Sequence, residues 1–276
     1  MTVADWLAEA TDRLARAGVD SPRLDAQVIA AHALGHDRAW ILAHPESSVE
    51  SQVLESSLVR RESREPLAYI VGYREFYGRV FNVDPRVLIP RQETEILVER
   101  VLLWLNETGR DRNVLDIGTG SGCVGLTIKA ERPLTDVTLS DISMGAIQVA
   151  YSNAERLGLD VKIVESDLYE AFEGASFDVI VCNPPYVSHA DDLDPEVREY
   201  EPTIALYAEA GGVGIYRRLA SEFAGYLDCN ALVLEIGLGQ EEMVAAIFTE
   251  YDWQHEETLL DLARIPRVMV FTPPAS

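Results

Sequence analysis

The chain has 276 residues, 47% of them hydrophobic, and a formal net charge of −23. That apolar content supports one large core or two smaller ones, while the acidic excess argues against a free DNA or RNA substrate, whose backbone calls for a basic stripe. No apolar run approaches the roughly 20 residues of a membrane-spanning helix. The first residues, Met1 to Asp5, lack the basic-then-apolar pattern of a signal peptide, so none is expected. Cys123, Cys182 and Cys229 are scattered and fit neither a zinc site nor a disulfide framework, and a reducing cytoplasm is the expected setting. The acidity is uneven, with a net of −4 over residues 1–85 and −19 over the rest.

Along the chain, Leu7, Ala10, Leu14 and Ala17 recur at helical spacing, and Gly18 ends the pattern. Ser21-Pro22 reads as an N-cap followed by proline at the first helical position, opening a helix from Leu24 to Leu34 that Gly35 closes. Further helices are expected over Ala39–Leu42 and Ser51–Arg64, which makes residues 1–67 a small helical bundle. Residues 68–90 change character. Tyr69-Ile70-Val71-Gly72-Tyr73 and Phe76-Tyr77-Gly78-Arg79-Val80-Phe81 are aromatic and β-branched with glycines between, which predicts short strands or a hairpin linking two domains. A helix is then expected from Thr94 to about Leu105.

From Asn113 strands and helices alternate. Strands are expected at Asn113–Asp116, Val137–Asp141, Val161–Val164, Phe177–Cys182 and Ala231–Ile236, with two more near Glu256–Leu260 and Arg267–Phe271. This alternation predicts a mostly parallel sheet with helices on both faces over residues 91–276. The short last connection predicts a hairpin, hence one antiparallel strand.

Between the first strand and its helix lies Asp116-Ile117-Gly118-Thr119-Gly120-Ser121-Gly122. Glycines in such a turn let backbone N–H groups approach a ligand, in the crevice at the strands' carboxyl ends where open sheets bind ligands. Asp141, ending the second strand, is placed to accept hydrogen bonds from ribose hydroxyls. Asp167, after the third, is placed to meet an adenine amine, with Leu168 against the ring. Gly120 to Gly125 also fits the dinucleotide pattern G-x-G-x-x-G, a weak signal alone. The carboxylate of Asp116 beside the turn favours S-adenosylmethionine, with its cationic end and no pyrophosphate, over NAD.

The fourth strand ends in Asn183-Pro184-Pro185-Tyr186. Methylating an amide or aromatic amine requires a delocalised lone pair to be turned toward the donor methyl. The Asn183 side-chain oxygen and the Pro184 carbonyl are two acceptors for the hydrogens of an NH2 group. Prolines stiffen the backbone that carries them, and Tyr186 can lie against a planar substrate. Asn183, Pro184 and Tyr186 are therefore the candidate catalytic residues, working by orientation and preorganised electrostatics.

With these motifs in place the chain resembles the HemK/PrmC family of protein-(glutamine) methyltransferases that act on peptide chain release factors. Pro66–Gly72 with Glu75-Phe76 resembles the family's linker. Val87-Leu88-Ile89-Pro90-Arg91-Gln92-Glu93-Thr94-Glu95 is similar to its LIPRPETE stretch, with Gln92 where proline is usual. Leu115–Gly122, Glu201-Pro202 with Ala205-Leu206 and Gly214, Glu235-Ile236-Gly237 with Gln240, and the pair Asp261 and Arg267 extend the likeness to about residue 270. The resemblance implies an α/β, Rossmann-like S-adenosylmethionine-dependent methyltransferase sheet with an N-terminal helical bundle and a β-hairpin linker. It implies the glutamine of the release factor's Gly-Gly-Gln motif as acceptor. It places Gly118 to Gly122, Asp141, Leu168 and Asn183 on the cofactor, and Asn183, Pro184, Pro185 and Tyr186 on the glutamine. Arg91 and Glu93 are candidates to line the site, Arg91 having a structural ion pair as its alternative.

Other features read more simply. His32 and His36 straddle Gly35 without a third metal ligand, so no metal is expected. Cys182 is a small strand residue. The acidic run Asp191 to Glu196 reads as a solvated loop or a surface for a basic partner. An adenine amino-methyltransferase on nucleic acid is the alternative function, since the tetrapeptide suits either nitrogen; it lacks a visible basic groove. A non-catalytic adapter and a nicotinamide oxidoreductase fit less well.

Overall fold

The computed structural model describes residues 1–108, 113–223 and 227–274. It divides into two units, Met1–Tyr73 with Leu193–Tyr200, and Arg74–Asp192 with Glu201–Ser276. The first contains α1 (Val3–Arg16), α2 (Pro22–Leu34), α3 (Arg38–Ala43), α4 (Ser51–Glu62) and α5 (Leu67–Val71). Thr2 starts α1 with a capping box: its hydroxyl accepts from the Asp5 N–H, and the Asp5 carboxylate accepts from the Thr2 N–H. Val3, Trp6, Ala10 and Leu14 form the buried stripe of α1, against Ile29 of α2 and Leu54 and Leu58 of α4. Pro22 opens α2 as expected, but Ser21 makes no side-chain cap bond.

The aromatic and β-branched run at Tyr69–Val71 is helical, not extended. Pro66 precedes α5, Gly72 ends it at φ +81°, and Ala68, Tyr69, Ile70 and Val71 are all buried. Burial on several sides overrides the modest strand preference of these side chains. The hairpin is confined to β1 (Tyr73–Phe76) and β2 (Arg79–Asn82).

The chain continues through α6 (Glu95–Thr108), β3 (Asn113–Ile117), α7 (Cys123–Glu131), β4 (Asp136–Asp141), α8 (Met144–Leu157), β5 (Lys162–Glu165), β6 (Ala175–Ser176) and β7 (Val179–Cys182). After α9 (Pro195–Tyr200) come α10 (Thr203–Leu206), α11 (Glu209–Gly212), α12 (Gly214–Glu222), β8 (Leu227–Asp228), β9 (Ala231–Glu235), α13 (Glu241–Glu250), β10 (Gln254–Leu260) and β11 (Pro266–Thr272). The main sheet has seven strands in the order β10-β11-β9-β7-β3-β4-β5. Only β11 runs against the others, pairing antiparallel with β9 and β10. The order reverses at β3, which pairs in parallel with β4 on one side and β7 on the other. The carboxyl ends of these three strands are where such a sheet opens a crevice.

Every residue of β7 and β9 is buried, which explains the apolar sequence of β7 and of β9 up to Glu235: helices cover both faces. Side chains alternate between two cores. Leu115, Ile117, Ile180, Leu232 and Leu234 pack with Tyr216, Leu219 and Phe248, whereas Val114, Val179, Val181 and Val233 pack with Leu97, Val101 and Leu126. No helix among the described residues is long and apolar enough to cross a membrane.

The acidic run after the tetrapeptide begins as an exposed loop at Asp191 and Asp192, as expected, but its second half is paired. Within the helical unit, Glu196 accepts from Arg61 at 2.8 Å and from Arg64 at 2.9 Å, and Asp194 lies 3.3 Å from Arg64. Arg61 is 5% exposed and also holds Asp25 at 2.7 Å. The Tyr200 hydroxyl donates to the Ser63 carbonyl at 2.6 Å. The arginines that neutralise this run lie about 130 residues earlier in the chain, as the 132-residue separation of Arg64 and Glu196 shows.

Candidate active site

The turn after β3 is built around a buried carboxylate. Asp116, 2% exposed, accepts from the Thr119 hydroxyl at 2.6 Å and the Gly125 N–H at 2.9 Å, both through Oδ2. It thereby ties the turn to the first residues of α7. A Cβ on Gly125 would sit 2.1 Å from Leu139 Cδ2 and 3.0 Å from the same carboxylate oxygen, so α7 approaches β3 only with glycine there. Burial pushes the Asp116 carboxyl up to about 7. Its expected attraction for a cationic cofactor is thus joined by a structural task that sequence did not reveal. Gly118 and Gly120 take φ values of +69° and +56°, conformations that side chains rarely adopt.

Asp141 closes the turn from the other side. Its Oδ2 accepts from the Gly120 N–H and its Oδ1 from the Ser143 N–H, each at 2.9 Å. Burial raises its pKa, the backbone donors at Ser143 and Gly120 acting in the opposite direction. A carboxylate offers about four lone-pair directions, so acceptor capacity remains for hydroxyls in the crevice. Asp167 is held by Arg218 Nη1 of α12 at 2.9 Å, and Arg218 is also held by Glu222 at 2.7 Å. Arg218 belongs to no sequence motif, and its place in the crevice wall was not foreseen. Leu168 is 8% exposed with φ +46°, its turn held by the Ser166 hydroxyl, which donates to the Leu168 carbonyl and accepts from the Ala171 N–H.

At the end of β7, Asn183 Nδ2 donates to Thr94 Oγ1 at 3.2 Å. Tyr186 points its hydroxyl to Glu235 Oε1 at 3.3 Å, and its carbonyl accepts from Gln240 Nε2 at 2.9 Å. Gln240 Oε1 in turn accepts from the Gly237 N–H at 3.0 Å. Gly212, at φ +91°, passes so close that a Cβ would lie 2.4 Å from the Tyr186 carbonyl oxygen. Glu235 is 2% exposed, and burial pushes it up to about 7, partly offset by the Thr94 and Tyr186 hydroxyls and Arg267. Burial and the Glu235 charge raise the Tyr186 hydroxyl.

These elements enclose a cleft of about 200 Å³ lined by Arg91, Thr94, Asp116, Gly118, Thr119, Gly120, Ser121, Asp141, Asp167, Leu168, Asn183, Pro184, Pro185 and Arg218, among others. Of the residues singled out in the sequence, Gly122, Tyr186 and Glu93 lie off this wall. Gly122 caps α7 at φ +81°, Tyr186 braces the tetrapeptide from behind, and Glu93 is exposed. Arg91 lies on the wall and also makes the ion pair weighed as its alternative, at 2.6 Å from Glu201. The buried Ser121 hydroxyl has no hydrogen-bond partner. A polar atom left open beside exposed turn backbone, opposite a carboxylate and an apolar wall, suits an adenosyl group with an amino-acid tail.

The sheet order, the glycine turn, the acidic end of β4 and the tetrapeptide at β7 together define an S-adenosylmethionine-dependent methyltransferase. The Methyltransferase small domain model matches residues 92–199, and the PrmC N-terminal domain model matches residues 5–72. A release factor glutamine methyltransferase from Koribacter versatilis (strain Ellin345) is 40% identical over 283 residues, covering 100% of each chain. The chain belongs to the release factor glutamine methyltransferase family. It is also 34% identical over 303 residues to a bifunctional methyltransferase from Rickettsia conorii, covering 99% of this chain but spanning only 58% of that protein. The hMettl16 catalytic domain shares the fold at 16% identity and a TM-score of 0.54, covering 81% of this chain and 83% of that one.

Proposed function

We propose that this enzyme transfers a methyl group from S-adenosylmethionine to the side-chain amide nitrogen of the glutamine in the Gly-Gly-Gln motif of class 1 peptide chain release factors. The observation that carries the reading is Asn183, with its amide nitrogen engaged by Thr94 and its place in the same cleft wall as the glycine turn. Family membership supports the acceptor, and the net charge of −23 speaks against direct nucleic-acid binding. Residues 1–67 are assigned to release-factor recognition, 68–90 to the linker and 91–276 to catalysis. A cytoplasmic site of action, away from any membrane, accords with a soluble translation factor as partner.

Gly118, Thr119, Gly120 and Ser121 would hold the cofactor's amino-acid end, with Gly122 shaping the turn behind them, Asp141 its ribose, Asp167 and Leu168 its adenine, with Asn183 touching both cofactor and substrate. When bound, S-adenosylmethionine supplies an electrophilic methyl on a sulfonium. The protein's task is to present the glutamine nitrogen. Asn183 Oδ1 and the Pro184 carbonyl accept its two N–H bonds, which turns the lone pair out of conjugation and toward the methyl. Pro185 supports the planar amide with Tyr186 bracing the tetrapeptide from behind, and Arg91 is assigned to the substrate side, with Glu93 exposed beside it. No strong base is needed beforehand, because the proton leaves from the charged product. Most of the rate comes from orientation and fixed dipoles.

Asp141→Ala is expected to weaken cofactor binding by about 10- to 100-fold, the scale of a lost hydrogen bond to a charged group, as read by calorimetry. An unchanged affinity would remove Asp141 from the ribose. The substrate assignment is tested by incubating enzyme with labelled cofactor and release factor, with duplex DNA in parallel, and mapping the label by peptide mass. A gain of one methylene on the Gly-Gly-Gln glutamine is expected. Label on DNA alone would instead establish the adenine reading.

A further inference from the structure

The Asn183 side chain has a donor end and an acceptor end, and only one orientation serves an NH2 substrate. With Oδ1 toward the substrate, acceptor meets donor. With the amide turned over, NH2 would face NH2. The tetrapeptide by itself does not decide between them, so something behind Asn183 must.

Behind it stands Thr94, 2% exposed, whose Oγ1 accepts from Asn183 Nδ2 at 3.2 Å. A hydroxyl has a single hydrogen to give. If that hydrogen goes elsewhere, only lone pairs face Asn183, and the amide must present its NH2. The group beside Thr94 that takes such a hydrogen is the Glu235 carboxyl, also 2% exposed. Glu235 Oε1 receives the Tyr186 hydroxyl at 3.3 Å, whereas Oε2 is buried without a hydrogen-bond partner. The Thr94 hydroxyl acts on this carboxyl as a neighbouring donor, lowering it against the effect of burial, and its hydrogen is free to rotate toward the open oxygen. A buried carboxylate is costly, and an apolar residue would pack the end of β9 at lower cost. Its placement behind both ends of the tetrapeptide is what needs explaining.

We infer that Thr94 and Glu235 are positioning residues that fix the polarity of Asn183: Glu235 draws the Thr94 hydrogen, Thr94 accepts from the Asn183 NH2, and Asn183 Oδ1 is left as the acceptor for the substrate amide. The same carboxylate holds Tyr186, so one buried group sets both the first and the last residue of the tetrapeptide. This rests on the reading of an NH2-bearing acceptor at the site.

The test uses Thr94→Val, which keeps the shape and removes the hydroxyl, Thr94→Ser, which restores it, and Glu235→Gln, whose carboxamide can donate to Thr94 and reverse the chain. Turnover on release factor, cofactor affinity and the Asn183 side-chain NH2 resonances are measured together, the resonances assigned by their loss in Asn183→Ala. Thr94→Val and Glu235→Gln are expected to lower kcat by about 10- to 100-fold, the scale of a misplaced reacting group, with cofactor affinity unchanged and the NH2 resonances shifted. Thr94→Ser is expected to recover both readouts. Wild-type kcat with unshifted resonances in Thr94→Val would overturn the inference. Failure of the wild-type enzyme to methylate release factor would sink the substrate assignment instead, and the resonances alone would then decide the role of Thr94.

Discussion

Replacing Asn183 with alanine is expected to lower kcat by about 10²- to 10³-fold, or about 3–4 kcal/mol, the scale of removing one preorganised group at a reacting centre. Cofactor affinity is expected to stay within a few-fold, because the proposed cofactor contacts at Gly118–Ser121 and Asp141 do not depend on it. The loss is expected on kcat because, in the proposed mechanism, the Asn183 oxygen acts most strongly when the amide nitrogen has given up its conjugation, near the transition state. Alanine also leaves the Thr94 hydroxyl without its 3.2 Å donor. That cost to folding is about 1 kcal/mol, too small to explain the kinetic loss. Single-turnover methylation of release factor, with cofactor binding measured in parallel, separates the two effects. Turnover surviving within a few-fold would mean that the amide is oriented by other groups.

What could be read from sequence was whatever a local pattern carries. Alternation of short apolar strands with helices predicted the parallel sheet, and the short connection before Pro266 predicted the one reversed strand. The glycine turn and Asn183-Pro184-Pro185-Tyr186 stood out because few other structures require those residues in that order. What escaped depended on partners far apart in the chain. Tyr69–Val71 reads as a strand in isolation and becomes a helix because its side chains are buried together. Asp194 and Glu196, at the end of the acidic run, look like solvated charge until Arg61 and Arg64 meet them. Asp167 could be placed near the crevice, but its ion pair with Arg218 joins residues 51 apart. Thr94 and Asn183 are 89 apart, and nothing in a lone threonine marks it as the partner of a distant amide.

Glu201→Ala is expected to reduce both stability and turnover, since this residue joins two stretches that sequence could only note separately. Its carboxylate is 1% exposed, accepts from Arg91 Nη2 at 2.6 Å through Oε1 and from the buried Ile89 N–H at 3.1 Å through Oε2. Glu201 thus fixes the segment from Val87 to Thr94, which contributes Val87, Leu88, Pro90, Arg91 and Thr94 to the cleft wall. Removing it strands the Ile89 N–H away from water, at about 1–3 kcal/mol for an unsatisfied buried donor. The Arg91 contribution is smaller, because its side chain is 32% exposed and solvent takes over much of the charge. A segment freed at this point lets Thr94 drift from Asn183, so kcat should fall by about 10-fold or more, the response of an oriented site to small misplacement. Glu201→Gln keeps a carbonyl for Ile89 and is expected to recover most of the denaturation midpoint while retaining a weaker hold on Arg91. If Glu201→Ala lowers the midpoint but leaves kcat at the wild-type value, Glu201 stabilises the fold without setting the geometry of the site.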